Sequence, residues 1–385
     1  AVIAKTGKIE LMTDISQLEE QSQTYSDITE LLEKLEASKV PTELKDEGRK
    51  MIVRVFRMAK KGSYSTEFES TSRYIDWVLH IPWETMSNDS LDLTKIREEL
   101  DKYHFGLGKV KERILAYMAV MKLREDKKLS AETGVKGMTA TYLRPPVLCF
   151  VGLQGLGKTT IAKSIANSLG RKYVRISLAA FGSIAQLRGS ARSNADAEPG
   201  LIIQAIRQSG TLNPVIVMDE IDKASGIESL RNDIMAALLE ILDPAQNESF
   251  VDRYINYPVD LSKCFFVCTA NTLGTISAAL LDRLEIIRFT SYSDDEKIVI
   301  AKQYVMPRII AETGLLEDQL RIADEAWPLI VRPMGYDAGI RQLERTMNNL
   351  ARKVAYQIVT GETTSVVVSP DNVKKYLPED LGVLG

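Results

Sequence analysis

This 385-residue sequence predicts a parallel α/β sheet covered by helices, preceded by an all-helical region and followed by a mostly helical one. Three observations predict it. Four strand-like apolar runs, "VLCFVG", "KYVRISL", "PVIVMDE" and "CFFVCTAN", alternate with helical segments, the order that lays helices over a parallel sheet. The first run enters a glycine-rich turn and a lysine-led helix, "VGLQGLGKTTIAKSIANSLG", from Val151 to Gly170. Both flanks of this central part carry apolar residues at helical spacing.

Along the chain, residues 1 to 27 are polar and rich in Ser and Thr. Ile28, Leu31, Leu32 and Leu35 then mark one face of a helix that "SKVP" ends at Pro41. Leu44, Met51, Ile52, Val55, Phe56 and Ala59 align on a second helix that ends in "KKGS". A third begins near "STEFES", carries Tyr74, Ile75, Trp77, Val78 and Leu79, and stops at "HIPW". The segment "REDKKLSAETGVKGMTATYLRPP" has no periodicity and reads as a long loop before the first strand. From Ser293 the pattern turns helical again, with Ile340, Leu343, Met347, Leu350, Val354 and Ile358 on one face and "TTSVVVS" as a single strand. The expected division is 1–100 helical, 101–290 α/β and 291–385 mostly helical.

Composition excludes several function classes. Hydrophobic residues make up 45% and charged residues 26%, and no apolar run approaches the roughly 18 residues of a membrane span. A formal net charge of −3 gives no global field for nucleic acid or anionic lipid. Cys149, Cys264 and Cys268 lie in apolar strand-like runs, where free thiols act as small hydrophobes, and this fits a reducing cytosol. Two histidines are too few for a histidine-based metal cluster.

The chemistry concentrates in three places. Gly152, Gly157, Lys158 and Thr159 match G-x-x-x-x-G-K-[ST]. Glycines let backbone N–H groups curl around phosphate oxygens, and the helix from Lys158 aims its positive end at the anion. Lys158 is expected to neutralise the β- and γ-phosphates of ATP, and the Thr159 hydroxyl to ligate Mg²⁺. In "PVIVMDEID", Asp219 and Glu220 close an apolar strand, where unpaired carboxylates would be costly, so Asp219 is read as a metal-shell ligand and Glu220 as the base that orients water. "CFFVCTAN" ends in Thr269 and Asn271, a polar tip that could position the same water. Arg283, on a loop or helix end in "LLDRLEIIRF", and Arg341, starting a helix in "GIRQLER", are candidates for stabilising phosphoryl charge.

Taken together, "GLQGLGKTTIAKSIANSLGRKYVRISL", "NPVIVMDEIDK", "ALLEILDPAQNESFVDRY", "DLSKCFFVCTANTLGTISAALLDRLEIIRF" and "AGIRQLERT" resemble the AAA+ ATPase module of Lon proteases. The likeness runs from about Leu32 to Leu377 and includes "STSRYIDWVLHIPW" and "YHFGLGKVKERIL". It implies a P-loop AAA+ α/β domain with an α-helical lid, ATP or ADP and Mg²⁺ as cofactors, and a homo-oligomer in the form of a hexameric ring. By position, it makes Gly152, Leu153, Gln154, Gly155, Leu156, Gly157, Lys158, Thr159 and Thr160 the phosphate cradle and Asp219 and Glu220 the acidic pair. Asn271 becomes a sensor of the γ-phosphate, Arg283 a finger reaching a neighbouring subunit, and Arg341 a sensor on the lid. His104, Phe105 and Gly106 fall where such modules approach the base, with Tyr292 and Ile340 closing that pocket.

The sequence departs from that family in two respects, besides Leu153 and Gln154 standing where prolines are common. Where Lon proteins carry an aromatic, an aliphatic and a glycine to grip polypeptide, this chain has Asn194, Ala195 and Asp196, leaving Phe181 or the loop at Ile227 and Leu230 as substitutes. Lon proteins also continue past "YLPEDLG" into a Ser/Lys peptidase, and the start at Ala1 suggests a fragment of a longer protein. The expected function is ATP-driven unfolding and translocation of unfolded or damaged proteins in cytoplasmic protein quality control. The alternatives are a remodelling ATPase without proteolysis and a DNA-linked ATPase that binds DNA weakly through "KVKERILAYMAVMKLREDKK".

Overall fold

The computed structural model describes residues 23–59, 65–126, 147–179, 181–194, 196–244, 246–332 and 339–377. Of the expected loop from Arg124 to Pro146, residues 124–126 are helical and the rest lies outside the described residues, as does the polar stretch before Gln23. Three helices open the chain: α1 (Gln23–Ala37), α2 (Thr42–Ala59) and α3 (Ser65–His80). Each buries the apolar stripe that its spacing marked, Ile28, Leu32 and Leu35 meeting Leu44, Ile52, Val55 and Phe56, and Tyr74, Ile75 and Val78. Helix α4 (Leu93–Tyr103) begins where the Asp92 carboxylate accepts the orphan N–H groups of Thr94 and Lys95, and α5 (Gly108–Asp126) follows.

The central sheet contains β1 (Val147–Val151), β2 (Tyr173–Ser177), β3 (Val215–Asp219), β6 (Phe265–Ala270) and β7 (Leu284–Arg288). Between β3 and β6 a short hairpin pairs β4 (Phe250–Val251) with β5 (Pro258–Val259). The sheet order is β2-β3-β6-β1-β7, and every pair in it is parallel. Strand β7 is an addition to the sequence reading. Its five residues alternate too weakly in burial to stand out, and pairing with β1 from Val147 opposite Leu284 to Val151 opposite Arg288 makes them a strand. Helices α6 (Lys158–Leu169), α7 (Leu201–Ser209) and α8 (Glu228–Leu242) complete the α/β layers.

β1, β3 and β6 are wholly buried, as runs covered on both faces must be. One face packs with α1–α3 in a single cluster that contains Cys149, Ile216, Met218 and Cys268, and the other packs with α4, α5 and α6 through Leu148, Phe150, Val215 and Val267. Cys149 and Cys268 are buried, whereas Cys264 lies one residue before β6, half-buried, with its thiol donating to the Leu212 carbonyl at 3.3 Å. Parallel pairing brings all the strand C-termini to one edge, where ligands of open α/β sheets bind.

The C-terminal part is built from α9 (Asp294–Ile300), α10 (Met306–Thr313), α11 (Trp327–Val331), α12 (Arg341–Val359) and α13 (Val373–Tyr376), with β8 (Leu320–Ile322) parallel to β9 (Val366–Val368). Ser293 and Glu296 form a reciprocal capping box at the start of α9. A wider π turn, Ala301–Val305, joins α9 to α10 just before Pro307, whose ring removes a donor and crowds the preceding turn. Trp327, Leu343, Met347, Leu350 and Val354 centre its own core. No helix among the described residues is long and apolar enough to cross a membrane.

The loop between β4 and β5 hangs on one side chain. Asp252 is fully buried, its Oδ1 accepting from the backbone N–H groups of Tyr254 (2.8 Å) and Ile255 (3.0 Å) and its Oδ2 from that of Gly200 (2.7 Å). Gly189, at φ +73°, lies against the same carboxylate, and a Cβ there would sit 2.7 Å from its oxygens.

Candidate nucleotide-binding site

At the C-terminal edge of the sheet, β1 passes into a loop in which Gly152, Gly155 and Gly157 all take positive φ. A side chain at Gly152 would meet the Phe289 carbonyl at 2.8 Å, and Gly157 in the left-handed region launches α6. This loop surrounds a polar cavity of about 370 Å³. Gln154 to Thr160, Arg175, Asp219, Glu220, Thr269, Asn271, Ile340, Arg341 and Glu344 line it.

Lys158 opens α6 and is buried, and burial lowers its pKa against the opposing pull of Asp219 and Asp222. Its ammonium donates to the carbonyls of Gly152 (2.5 Å) and Leu153 (2.8 Å) and to Asn271 Oδ1 (3.1 Å). A cation is therefore held inside the loop's own backbone, where an anion's oxygens could take over its donors. Asn271 follows β6 directly, so the sheet itself sets its reach to Lys158.

Asp219 ends β3 and is buried. Its Oδ1 accepts from the Thr269 hydroxyl and its Oδ2 from Arg175 Nε at 2.7 Å and from Arg175 Nη2. Glu220 follows in the left-handed region at φ 57°, costly for a side chain with a Cβ. Its N–H donates to Thr269 Oγ1 at 3.0 Å and its Oε1 accepts from Lys223 Nζ at 2.7 Å. Thr269 is thus fully buried and joins the two acids to each other; it does not present its hydroxyl to the cavity as a free polar tip.

The C-terminal helical part closes directly onto the loop. Ile340 N–H donates to the Gly155 carbonyl at 3.2 Å, and Arg341 Nη1 donates to Gln154 Oε1 at 3.0 Å. A Cβ at Gly339 would lie 2.5 Å from the Gly155 carbonyl carbon, so backbone meets backbone there.

Of the base-side candidates, Ile340 lines this cavity, whereas His104, Phe105, Gly106 and Tyr292 stand outside its lining. His104 is buried behind α6, its Nε2 sharing a hydrogen bond with Ser164 Oγ at 3.0 Å. Phe105 packs on the C-terminal core, Gly106 takes φ +66° beside Glu296, and the Tyr292 hydroxyl donates to the Leu156 carbonyl at 3.2 Å. Burial raises the Tyr292 phenol to about 12, so it remains a donor.

Burial, with a smaller contribution from Lys111, lowers the His104 imidazole to about 4. The unfolded chain takes up this proton near 6.5, so between these values the unfolded state binds more protons and stability rises with pH. The contribution is complete above about pH 6.5 and is lost as pH falls toward 4. His104→Gln should lessen the drop in urea-unfolding free energy between pH 7 and pH 5 by roughly 2 kcal/mol. Equal drops in the two proteins would count against this burial effect.

Arg283 is not brought to the cavity. Its carbonyl accepts from Val147 N–H at the start of β1, a strand's length from the glycine loop, and its half-exposed side chain lies 3.5 Å from Asp243. Phe181 is buried in the core, which removes it as a gripping ring. Asn194 and Asp196 are exposed, Ala195 lies outside the described residues, Leu230 is half-buried and Ile227 is 64% exposed. Arg175 and Glu344 are the cavity residues that sequence reasoning missed. An arginine between the buried Val174 and Ile176 on a strand next to β3 was the available signal for the first.

The donor set suits a hard cation held with a nucleotide. Asp219 and Thr159 offer oxygen, and no cluster of three or more His, Cys, Asp or Glu among the described residues could hold a metal. Mg²⁺ fits such a site, because it binds through one or two protein oxygens plus phosphates and water.

Comparison with known proteins agrees with this geometry. Residues 148–292 match the ATPase family associated with various cellular activities (AAA), and residues 311–367 match the Lon protease AAA+ ATPase lid domain. The chain is 43% identical over 352 residues to a Lon protease of Dictyoglomus thermophilum, covering 91% of this chain and 42% of that protein. It is 44% identical over 361 residues to a Lon protease of Nitrosococcus oceani, covering 94% and 44%. Lon protease 2 of Thermus thermophilus is 42% identical over 351 residues, covering 91% and 42%. The chain therefore spans less than half the length of these curated relatives.

Proposed function

The chain is an AAA+ ATPase module of the Lon type, and from that premise we propose that it hydrolyses Mg-ATP between the subunits of a hexameric ring to unfold and thread protein substrates. One observation carries the proposal: Lys158, Asp219, Glu220, Asn271 and Arg341 converge from the sheet edge and the lid around the glycine loop.

In this reading the loop N–H groups and Lys158 bind the phosphates, and Thr159 and Asp219 would hold Mg²⁺, which would supply charge neutralisation at the transferred group. Glu220 takes the proton of the attacking water, and Asn271, within reach of Lys158, aligns that water. Arg341 ties nucleotide state to the lid through its contact with Gln154. His104, Phe105, Gly106, Tyr292 and Ile340 bound the base side. The division into residues 1–100, 101–290 and 291–385 serves as a working map. Free cysteines fit a reducing cytoplasm.

Arg283 is assigned to a neighbour's site because it stands at the opposite end of β1 from its own loop. An arginine supplied in trans is worth about 10³- to 10⁵-fold in rate. Lys158→Ala and Arg283→Ala should each be inactive alone. Mixed one to one, about a quarter of the interfaces in a head-to-tail ring pair an intact loop with an intact arginine, and ATP turnover should return to that extent. Failure of the mixture to recover any turnover would remove the trans assignment.

A remodelling ATPase without proteolysis is the second reading, favoured by the exposed Asn194 and Asp196 where a gripping ring is expected and by the burial of Phe181. Weak DNA binding by α5 is tested separately by the salt dependence of any DNA-stimulated turnover.

A further inference from the structure

Asp219 has both oxygens engaged. Thr269 donates to Oδ1, and Arg175 occupies Oδ2 through Nε at 2.7 Å and through Nη2. The two partners differ in freedom. The Asp219 side chain is 7% exposed and fixed at the end of β3, while that of Arg175 is 51% exposed and reaches in from the edge strand β2. Of the cavity's other cations, Lys158 is turned onto Gly152, Leu153 and Asn271, and Arg341 onto Gln154. Arg175 is therefore the countercharge in direct contact with a buried carboxylate that would be costly without one. A carboxylate oxygen held by two guanidinium nitrogens cannot at the same time point a free lone pair at a cation.

We propose that Arg175 is a displaceable counter-ion of Asp219: it holds Oδ2 in the metal-free protein and must let go for that oxygen to reach Mg²⁺. Arg175 is then a positioning residue that sets metal affinity by competition. This rests on the reading of Asp219 as a metal ligand. A long side chain with one flank in solvent can leave without disturbing the sheet, and Thr269 keeps Asp219 oriented after it has gone.

The test uses Mn²⁺ as a spectroscopic probe, titrated by electron paramagnetic resonance in the presence of a non-hydrolysable ATP analogue. Arg175→Gln should bind Mn²⁺ about 3- to 10-fold more tightly than the parent protein. It should also melt several degrees lower in metal-free buffer, with the loss made good at saturating Mn²⁺. Arg175→Lys keeps the charge but not the two-nitrogen grip, and should bind Mn²⁺ about twofold more tightly. If the Gln variant does not fold, the Lys variant decides. Unchanged or weaker Mn²⁺ binding in the folded variant overturns the proposal. Asp219→Asn separates the two failures. If it retains parental Mn²⁺ affinity, Asp219 is not a ligand and the site reading fails; if it loses Mn²⁺ while the Arg175 variants bind as the parent does, only the competition fails.

Discussion

In the Glu220→Gln variant, ATP turnover is expected to fall by about 10²- to 10⁴-fold while ATP remains bound with affinity within about threefold of the parent. The amide keeps the size of the side chain and an oxygen that can still accept from Lys223, so the 2.7 Å contact and the local backbone should survive. The backbone conformation does not depend on the carboxylate, because Glu220 N–H is tied to Thr269 Oγ1. What is lost is the capacity to take a proton. Turnover at fixed saturating ATP and binding of a fluorescent ATP analogue check the two halves. Normal turnover in this variant would take away the role of Glu220 as the base.

Asp252→Ala is expected to cost about 3–5 kcal/mol of unfolding free energy. The alanine leaves the N–H groups of Gly200, Tyr254 and Ile255 without their acceptor in a position that water does not reach. Burial itself raises the Asp252 pKa and the three backbone bonds pull it back, so relief of the carboxylate's own desolvation offsets part of the loss. Asp252→Asn should be milder. Its remaining oxygen can serve Tyr254 and Ile255, but its amide would face the Gly200 N–H as donor against donor. Urea unfolding of both variants checks the order, and an Ala variant within 1 kcal/mol of the parent on the scale of ordinary surface substitutions would sink the argument.

Much of the site was legible because its chemistry is local. The strand, glycine turn and lysine-led helix are consecutive, and Asp219 and Glu220 end a strand whose apolar run is plain in "PVIVMDE". Arg341 was placed at a helix start by its own periodic pattern, but its reach to Gln154 crosses 187 residues of chain. The same separation hid Arg175. Its partner lies 44 residues away, and only the pairing of β2 with β3 makes them neighbours. Phe181 looked available because an aromatic in a loop is ambiguous until its surroundings are known, and the core took it.

By itself, the sequence determined the elements that short-range physics controls. Short apolar runs, continuous in three of the four and alternating in β2, set the central strands, period-3.6 patterns set the flanking helices, and residues with φ above zero or a capping role set the turns between them. The tertiary structure alone decided which charges meet. The order β2-β3-β6-β1-β7 puts Arg175 on Asp219 and Thr269 between the two acids, and the closed lid sets Gly339 against Gly155. These are contacts between segments far apart in the chain, selected by burial of the whole core, and no local pattern encodes a partner that packing has yet to bring near.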